Sequence, residues 1–508
     1  MYNYIINYNY LLEDSLMERK AGVLLHISSL PNKYGIGTLG KEAYEFVDFL
    51  VEAGQKYWQV LPITPTNYGD SPYQSSSVYA FNPYFIDMDM LNEMGLLEKS
   101  EYENEFYGSN PLDVDYACLF QVKNRVLKHV WKRHTLYQEE FDAFCLENAS
   151  WVDGFALYEA IKESFGFTAW NTWPQEYKAR DAKTLKAFEE THQDEIGLKK
   201  FIQFLFVKQW KALKDYANNK GIKLIGDMPI YVAFDSADVW ANPGMFWLDE
   251  NLNPVKVAGC PPDQFSADGQ LWGNPLYRWD LMKEQNYAWW VDRIAKANEM
   301  CDVVRIDHFR GFAGYYTIPF GDTTARGGCW MTGPGYDLFR VVKQELPNVE
   351  IIAENLGFLD DAVKQLLDDC GYPGMCIMQF DFGNGYDYSP LRDGLAENNI
   401  IYTGTHDNQT IQSWYYELNP HLTWCVDQYF GITNREKAYL NIIEGTMKTP
   451  PLVAIIPLQD YLGLTDDKGR MNIPSTLGCN WRWRCKREDY SSELAAYIKR
   501  ITIESNRL

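Results

Sequence analysis

No two cysteines of this chain stand in a C-x-x-C arrangement; the ten are scattered, and the nearest neighbours are Cys370 with Cys376 and Cys479 with Cys485. That spacing excludes a zinc framework and a dithiol redox motif, and reads as buried thiols of a protein kept in a reducing cytosol. No stretch approaches the roughly 18 apolar residues of a membrane span. The opening MYNYIINYNYLLEDSLMERKAG lacks the basic start and unbroken apolar core of a signal peptide. Positive charge is scarce: 47 Lys and Arg against 69 Asp and Glu give a formal charge of -22, which repels nucleic-acid phosphates and anionic membrane surfaces. Neutral ligands suit such a surface. There is no internal repeat and no low-complexity linker.

What is present is a globular mixture, 46% hydrophobic and 23% charged, with enough apolar material for a large core. Aromatic residues reach 15%, including 17 Trp and 35 Tyr; rings with a polar handle suit flat, half-apolar ligands such as sugars, and tryptophan also fills cores. Eight short apolar runs bounded by turn residues read as strands: residues 22–27, 57–63, 222–230, 301–307, 350–355, 375–382, 400–407 and 452–458. Helical patterns such as KEAYEFVDFLVEAG and YDLFRVVKQEL alternate with them. Alternating strand and helix implies parallel strands, and eight units point to a (β/α)8 barrel, with an open doubly wound sheet as the alternative. Two regions exceed a plain barrel. Residues 90–200 carry helical periodicity and read as a helical insertion, whereas 231–290 and 308–335, rich in Gly, Pro, Asp and Trp, read as long ordered loops over one face. Residues 1–20 are expected to form an extension without structure, and 21–508 a single catalytic barrel.

GIGTLG at 35–40 has the form of a dinucleotide-binding fingerprint, but SSLPNKY separates it from the preceding strand and the next strand lacks the acidic residue at its end. It reads as a glycine-rich loop. The strand ends carry more chemistry. They read His26, Asp227, Asp307 with Arg305, Glu354 in AENLG, and His406-Asp407 in GTHDN, and in a parallel barrel these ends form the active-site mouth. Each alone could be an ion pair closing a core, but several acids converging on one mouth oppose folding, because like charges raise one another's pKa. Two chemistries use such a ring. Asp227, Asp307 and Glu354 could hold a magnesium ion, or one carboxylate could attack an anomeric carbon while another acid protonates the leaving oxygen. Arg305 two positions before Asp307 shares its strand face; it is expected to lower the Asp307 pKa and would repel a cation beside it.

The stretches WQVLPITPTNYGDSPYQSSSVYAFNPYFID, IGDMPIYV, AGCPPDQFSADGQLWGNPLYRW, VVRIDHFRGF, AENLG, GTHDNQT and NWRWR together resemble the 4-α-glucanotransferases called amylomaltases or disproportionating enzymes, glycoside hydrolase family 77. The resemblance runs from about Gly22 to near the C-terminus. It implies a barrel with helical and loop insertions and no terminal β-domain, acting on α-1,4-glucans, maltodextrins and glucose without cofactor or metal. It places the nucleophile on Asp307, the general acid/base on Glu354 and the transition-state-stabilising carboxylate on Asp407. Arg305 and His406 fall around the reactive sugar, Asp227 supports that pocket, and Tyr73 is the ring on which the donor sugar stacks. Phe265 and Trp272 are expected to stack an acceptor sugar and Asn274 to reach its hydroxyls. The sequence departs from the family pattern at Ser475, typically Gly, and at Gln264, where many members carry an aromatic; both bear on the acceptor side. An α-amylase-type hydrolase, a metal-dependent barrel lyase and a non-catalytic glucan-binding protein are the alternatives. Oligomeric state is not encoded in any motif.

Overall fold

The computed structural model describes residues 19–67, 69–262, 267–357, 359–382 and 395–508. Eight parallel strands close into a barrel: β1 (Lys20–Leu24), β2 (Tyr57–Gln59), β3 (Lys223–Met228), β6 (Val303–Ile306), β9 (Glu350–Ala353), β10 (Gly374–Ile377), β11 (Asn399–Tyr402) and β12 (Val453–Pro457), with β12 returning beside β1. Each corresponds to one of the eight runs, so the barrel prevails over the open sheet. The runs are apolar because both faces of a parallel strand are covered. In β6, Val304 and Ile306 are buried while the alternate residue Arg305 shares the face of Asp307. The strands end earlier than the apolar runs do, and the leftover residues of each run form the mouth.

Helices cover the barrel: Lys41–Glu52 follows β1, Gln193–Asn219 precedes β3, Ala288–Met300 precedes β6, and Tyr336–Glu345, Asp361–Cys370, Ala438–Met447 and Ser492–Glu504 come later. Between β2 and β3 the helices Met88–Glu93, Tyr116–Trp131, Gln138–Glu147, Ala149–Ser164, Gln175–Lys178 and Ala182–Thr191 lead directly into the 27-residue helix Gln193–Asn219. That helix serves both layers. Its Phe201 meets Phe141 edge-on at 5.2 Å, and further along Trp210 Nε1 donates to Met300 O at 2.7 Å on the barrel side. Trp58, Trp170, Trp210, Trp240 and Trp290 are all fully buried, so much of the tryptophan content is core material and not sugar platform.

The segments read as long ordered loops contain strands. β4 (Lys256–Cys260), β5 (Gln270–Pro275), β7 (Gly314–Pro319) and β8 (Cys329–Thr332) form an antiparallel sheet in the order β5-β4-β7-β8. The central pair joins residues far apart in sequence, with Val257 opposite Ile318 and Ala258 opposite Thr317, and such pairing leaves no local turn signal. After β12 the chain continues as helices and irregular segments.

Two expectations need correction. Residues 1–18 lie outside the described residues, but Arg19 and Lys20 belong to the fold: Lys20 opens β1, and Arg19 donates to Ser505 O at 3.0 Å and Thr449 O at 2.8 Å. The thiols are not uniformly buried; Cys301, Cys370, Cys425 and Cys485 are, whereas Cys329 and Cys479 are exposed, one on the edge strand β8 and the other in the loop before Asn480. The GIGTLG loop is a packing device. A Cβ on Gly37 would lie 1.8 Å from Ile27 O, so the chain there can approach β1's extension only as glycine.

Gly22 on β1 is equally constrained, since a Cβ would meet Tyr57 Cβ at 2.5 Å and Ile455 Cδ1 at 2.7 Å across both neighbouring strands. Overpacking of a closed core costs about 1–3 kcal/mol or more. Gly22→Ala is therefore expected to lower the midpoint of urea unfolding clearly, and an unchanged midpoint would mean that the barrel relaxes around the methyl group.

Candidate active site

β3 and β6 are paired with Asp227 directly opposite Arg305, which puts both side chains on one face of adjacent strands. Arg305, 3% exposed, holds Asp227 Oδ1 at 2.5 Å through Nη1 and Asp307 Oδ1 at 3.1 Å through Nη2, while its Nε faces Met375 Sδ at 3.3 Å. The second oxygen of Asp227 accepts from Tyr73 OH at 2.7 Å. Burial would lower the guanidinium pKa, but the flanking carboxylates raise it well above its ordinary value, so Arg305 is a fixed positive charge.

Asp307 departs from the expected ionisation. Burial in the mouth pushes its carboxyl up to about 7, with Arg305 opposing and Glu354 and Asp227 adding to the rise. Arg305 does not win because its shortest contact goes to Asp227, and because a second acid stands close by. Glu354 is raised in turn by burial, against the pull of Arg305 and of two backbone N–H groups. Those donors are Leu356 N on Oε1 and His308 N on Oε2, both at 2.7 Å. Asp307 and Glu354 are thus a coupled pair whose titrations belong to both.

Asp407 behaves oppositely. Burial alone would raise it, but His406 Nε2 at 3.3 Å and the amide of Asn472, donating at 2.6 Å, hold it down to about 2. Burial would lower His406, and Asp407 raises it above its ordinary value instead. The imidazole lies parallel to the Tyr73 ring, with centroids 5.0 Å apart, and Trp481 tilts against both rings at 5.7 Å and 5.6 Å. Of Asp407, Asp307 and Glu354, the first stays ionised and the other two are shifted towards neutrality. That is the separation acid–base chemistry needs.

Trp272 of β5 is half-buried and stands edge-on to His308, the residue after Asp307, at 4.8 Å and 88°. Asn274 is buried, and its amide is engaged within the protein: it donates to Val232 O at 2.8 Å and accepts from Gln74 Nε2 at 3.1 Å. It braces β5 against the Gln74 segment. Phe265 and Gln264 lie outside the described residues. Ser475 adopts φ +64°, a region that glycine occupies without steric cost. His26, at the end of β1, is buried against Phe85. Among the described residues no three His, Cys, Asp or Glu side chains are grouped to hold a metal ion; Arg305 occupies the position between Asp227 and Asp307.

Sequence reasoning passed over Asn472, Trp481 and His308. Trp481 lies inside the quoted NWRWR and Asn472 a few residues before it, where the residue types were visible but their approach to Tyr73 and Asp407 was not. His308 sits inside RIDHFRG, where nothing local announces a left-handed backbone.

A parallel eight-stranded barrel with three carboxyl groups gathered around a buried arginine defines an enzyme of the class that cleaves or transfers glycosides. The model of glycoside hydrolase family 77, described as 4-alpha-glucanotransferase, matches residues 25–489. A 4-alpha-glucanotransferase of Clostridium butyricum is 44% identical over 486 residues, covering 94% of this chain and 99% of its own. One from Thermus thermophilus is 41% identical over 504 residues, covering 97% and 100%. A solved amylomaltase from Streptococcus agalactiae in complex with acarbose superimposes with a TM-score of 0.93 at 42% identity, covering 96% of this chain and 100% of that one. The chain belongs to the 4-alpha-glucanotransferases of glycoside hydrolase family 77.

The raised Asp307 pKa has a sign that stability measurements can read. Its folded value of about 7 lies above the unfolded value of about 3.9. The native state therefore binds the extra proton, and stability is lost as pH rises from about 4 through 7. Asp307→Asn removes that loss. Its melting temperature should exceed the parent's at pH 8, with the difference shrinking towards pH 4; a difference of the opposite sign at pH 8 would show that Arg305 dominates the site.

Proposed function

We propose that this enzyme transfers α-1,4-glucan segments from a donor to the 4-hydroxyl of glucose or a maltodextrin, by a retaining double displacement, in cytoplasmic starch, glycogen or maltodextrin metabolism. The observation that carries the reading is the unequal environment of three carboxyl groups around Arg305, with a tryptophan platform facing them from a separate sheet. The similar Streptococcus agalactiae protein, solved with acarbose, supports a ligand of this kind.

Asp307, as the carboxylate, attacks the anomeric carbon while protonated Glu354 donates to the departing 4-oxygen. The glycosidic bond breaks and a glycosyl ester of Asp307 forms. Glu354, now a carboxylate steadied by two N–H donors, takes the proton of the acceptor 4-hydroxyl as that oxygen attacks the same carbon and Asp307 leaves. Two inversions retain the α configuration. Asp407, ionised at every working pH, sits where positive charge develops on the sugar ring and, with His406, takes the 2- and 3-hydroxyls in contacts that strengthen in the transition state. Tyr73, fixed by Asp227, provides the face on which the donor sugar stacks.

Asp307→Asn should lose activity by roughly 10⁴ to 10⁶, because an amide cannot form the ester. Glu354→Gln should recover a partial step with azide or a donor bearing a good leaving group. A nearly active Asp307→Asn variant moves the nucleophile elsewhere, and failure of both rescues removes Glu354 from the acid/base role.

Transfer wins over hydrolysis only if the acceptor is bound and oriented, for which effective molarities of about 10⁵ M are attainable. Maltotriose as sole substrate should give glucose and a ladder of longer maltodextrins with nearly constant total reducing ends. Trp272→Ala should raise the share of hydrolysis. Reducing ends that climb in step with substrate loss in the parent enzyme would make it a hydrolase.

A further inference from the structure

His308 is not glycine, yet it adopts φ +52°, a left-handed conformation that costs most L residues roughly 1–2 kcal/mol. Strain of this kind next to a nucleophile persists only where the surroundings impose it. Two contacts meet at this residue. Its backbone N–H donates to Glu354 Oε2 at 2.7 Å, and the edge-on ring contact with Trp272 has already been given. The next residue strengthens the first contact, since Phe309 N donates to Glu354 O at 2.8 Å. Trp272 is otherwise steadied by Nε1 donating to Gln270 Oε1 at 3.0 Å and by Tyr231, tilted at 6.1 Å. His308 is the side chain that links the carboxyl cluster to the platform on β5.

We propose that His308 is a positioning residue with two separable functions: its left-handed backbone aims an N–H at Glu354, and its imidazole sets the attitude of Trp272 towards the acceptor sugar. The inference rests on the acid/base role proposed for Glu354. Glu354 must be protonated in the first displacement and a carboxylate in the second. Burial favours the neutral form and the His308 and Leu356 N–H groups favour the charged one, so both states stay within reach. The imidazole itself takes no part in these titrations. Burial, with Arg310 nearby, lowers it to about 3, so it is a neutral ring at working pH.

The two functions separate by substitution. His308→Gly and His308→Asn tolerate the left-handed backbone and lose the imidazole; His308→Ala loses the imidazole and disfavours the backbone as well. The alkaline limb of kcat/KM for an unactivated maltodextrin donor, which reports loss of the last proton from the coupled Asp307–Glu354 pair in the free enzyme, should stay in place for Gly and Asn. In Ala it should move up by roughly 1–2 pH units, the worth of one hydrogen bond to a carboxylate. The ratio of transfer to hydrolysis should fall in all three, by roughly 3- to 10-fold, the scale of one aromatic contact. Ala matching Gly and Asn on the alkaline limb overturns the backbone function, and a parental transfer ratio in Gly and Asn overturns the ring function. Should Ala fail to fold, a shifted limb in Asn is sufficient to overturn the first. The reading beneath fails differently. A parent that only hydrolyses contradicts transfer yet leaves the limb measurable, and a Glu354→Gln variant that keeps the parental alkaline limb removes Glu354 itself.

Discussion

A charge that cannot leave the protein organises this molecule: Arg305, almost wholly buried, between Asp227 and Asp307. Replacing a buried ion pair by apolar side chains is often neutral or stabilising, whereas removing one partner costs about 3–5 kcal/mol. Stability alone would therefore not require a guanidinium at the end of a strand. Once it is there, its surroundings are dictated. Asp227 must face it across the β3–β6 ladder, Tyr73 caps the remaining oxygen of Asp227, and the Tyr73 ring then fixes the plane of His406, which in turn holds Asp407 ionised. This side of the mouth is one continuous set of contacts leading back to a single cation.

The same arrangement divides the labour among the acids. Asp407 pairs with a histidine and an amide and keeps its charge; Asp307 and Glu354 stand close together in the buried mouth and rise. Identical functional groups thereby acquire different protonation states without differing in chemistry. Arg305 holds Asp307 by one contact of 3.1 Å, and two backbone donors reach Glu354. The pair is left able to exchange proton and charge as the reaction turns from leaving group to acceptor.

Much of this was legible in the sequence, and for a physical reason. A parallel strand covered on both faces must be a nearly unbroken apolar run, so all eight barrel strands stood out, and the polar residues ending those runs had to be either caps or a site. The runs overshot the strands, as 400–407 does against β11 ending at Tyr402, because each was read on through the polar mouth residues, here Thr403 to Asp407, that follow the last ladder position. The antiparallel sheet escaped notice because GYYTIP and CWMT are short and the sheet's central pair joins GYYTIP to β4, distant in the chain. The Asp307 pKa was misjudged because sequence shows that Arg305 is near but not that Asp227 holds it more closely, nor how much water is excluded. Asn472 and His308 needed a fold before their neighbours could be known.

In the proposed reading, donor and acceptor sides are built from different layers, and this bears on how such an enzyme would choose sugar over water. The donor residues Asp307, Glu354, Asp227 and Arg305 project from barrel strands or the residues just after them, where eight-fold hydrogen bonding leaves little freedom. Trp272 belongs to a sheet made from two insertions, held to the barrel side through Asn274, Gln74 and His308. Chemistry and acceptor capture can therefore vary independently: changes in the inserted sheet alter what reaches the glycosyl ester without disturbing how it forms. Ser475, in its left-handed turn, lies outside the barrel strands that carry the carboxylates. A rigid donor site under a separately built acceptor platform favours transfer, because the platform can order a sugar over the ester while the barrel geometry stays fixed.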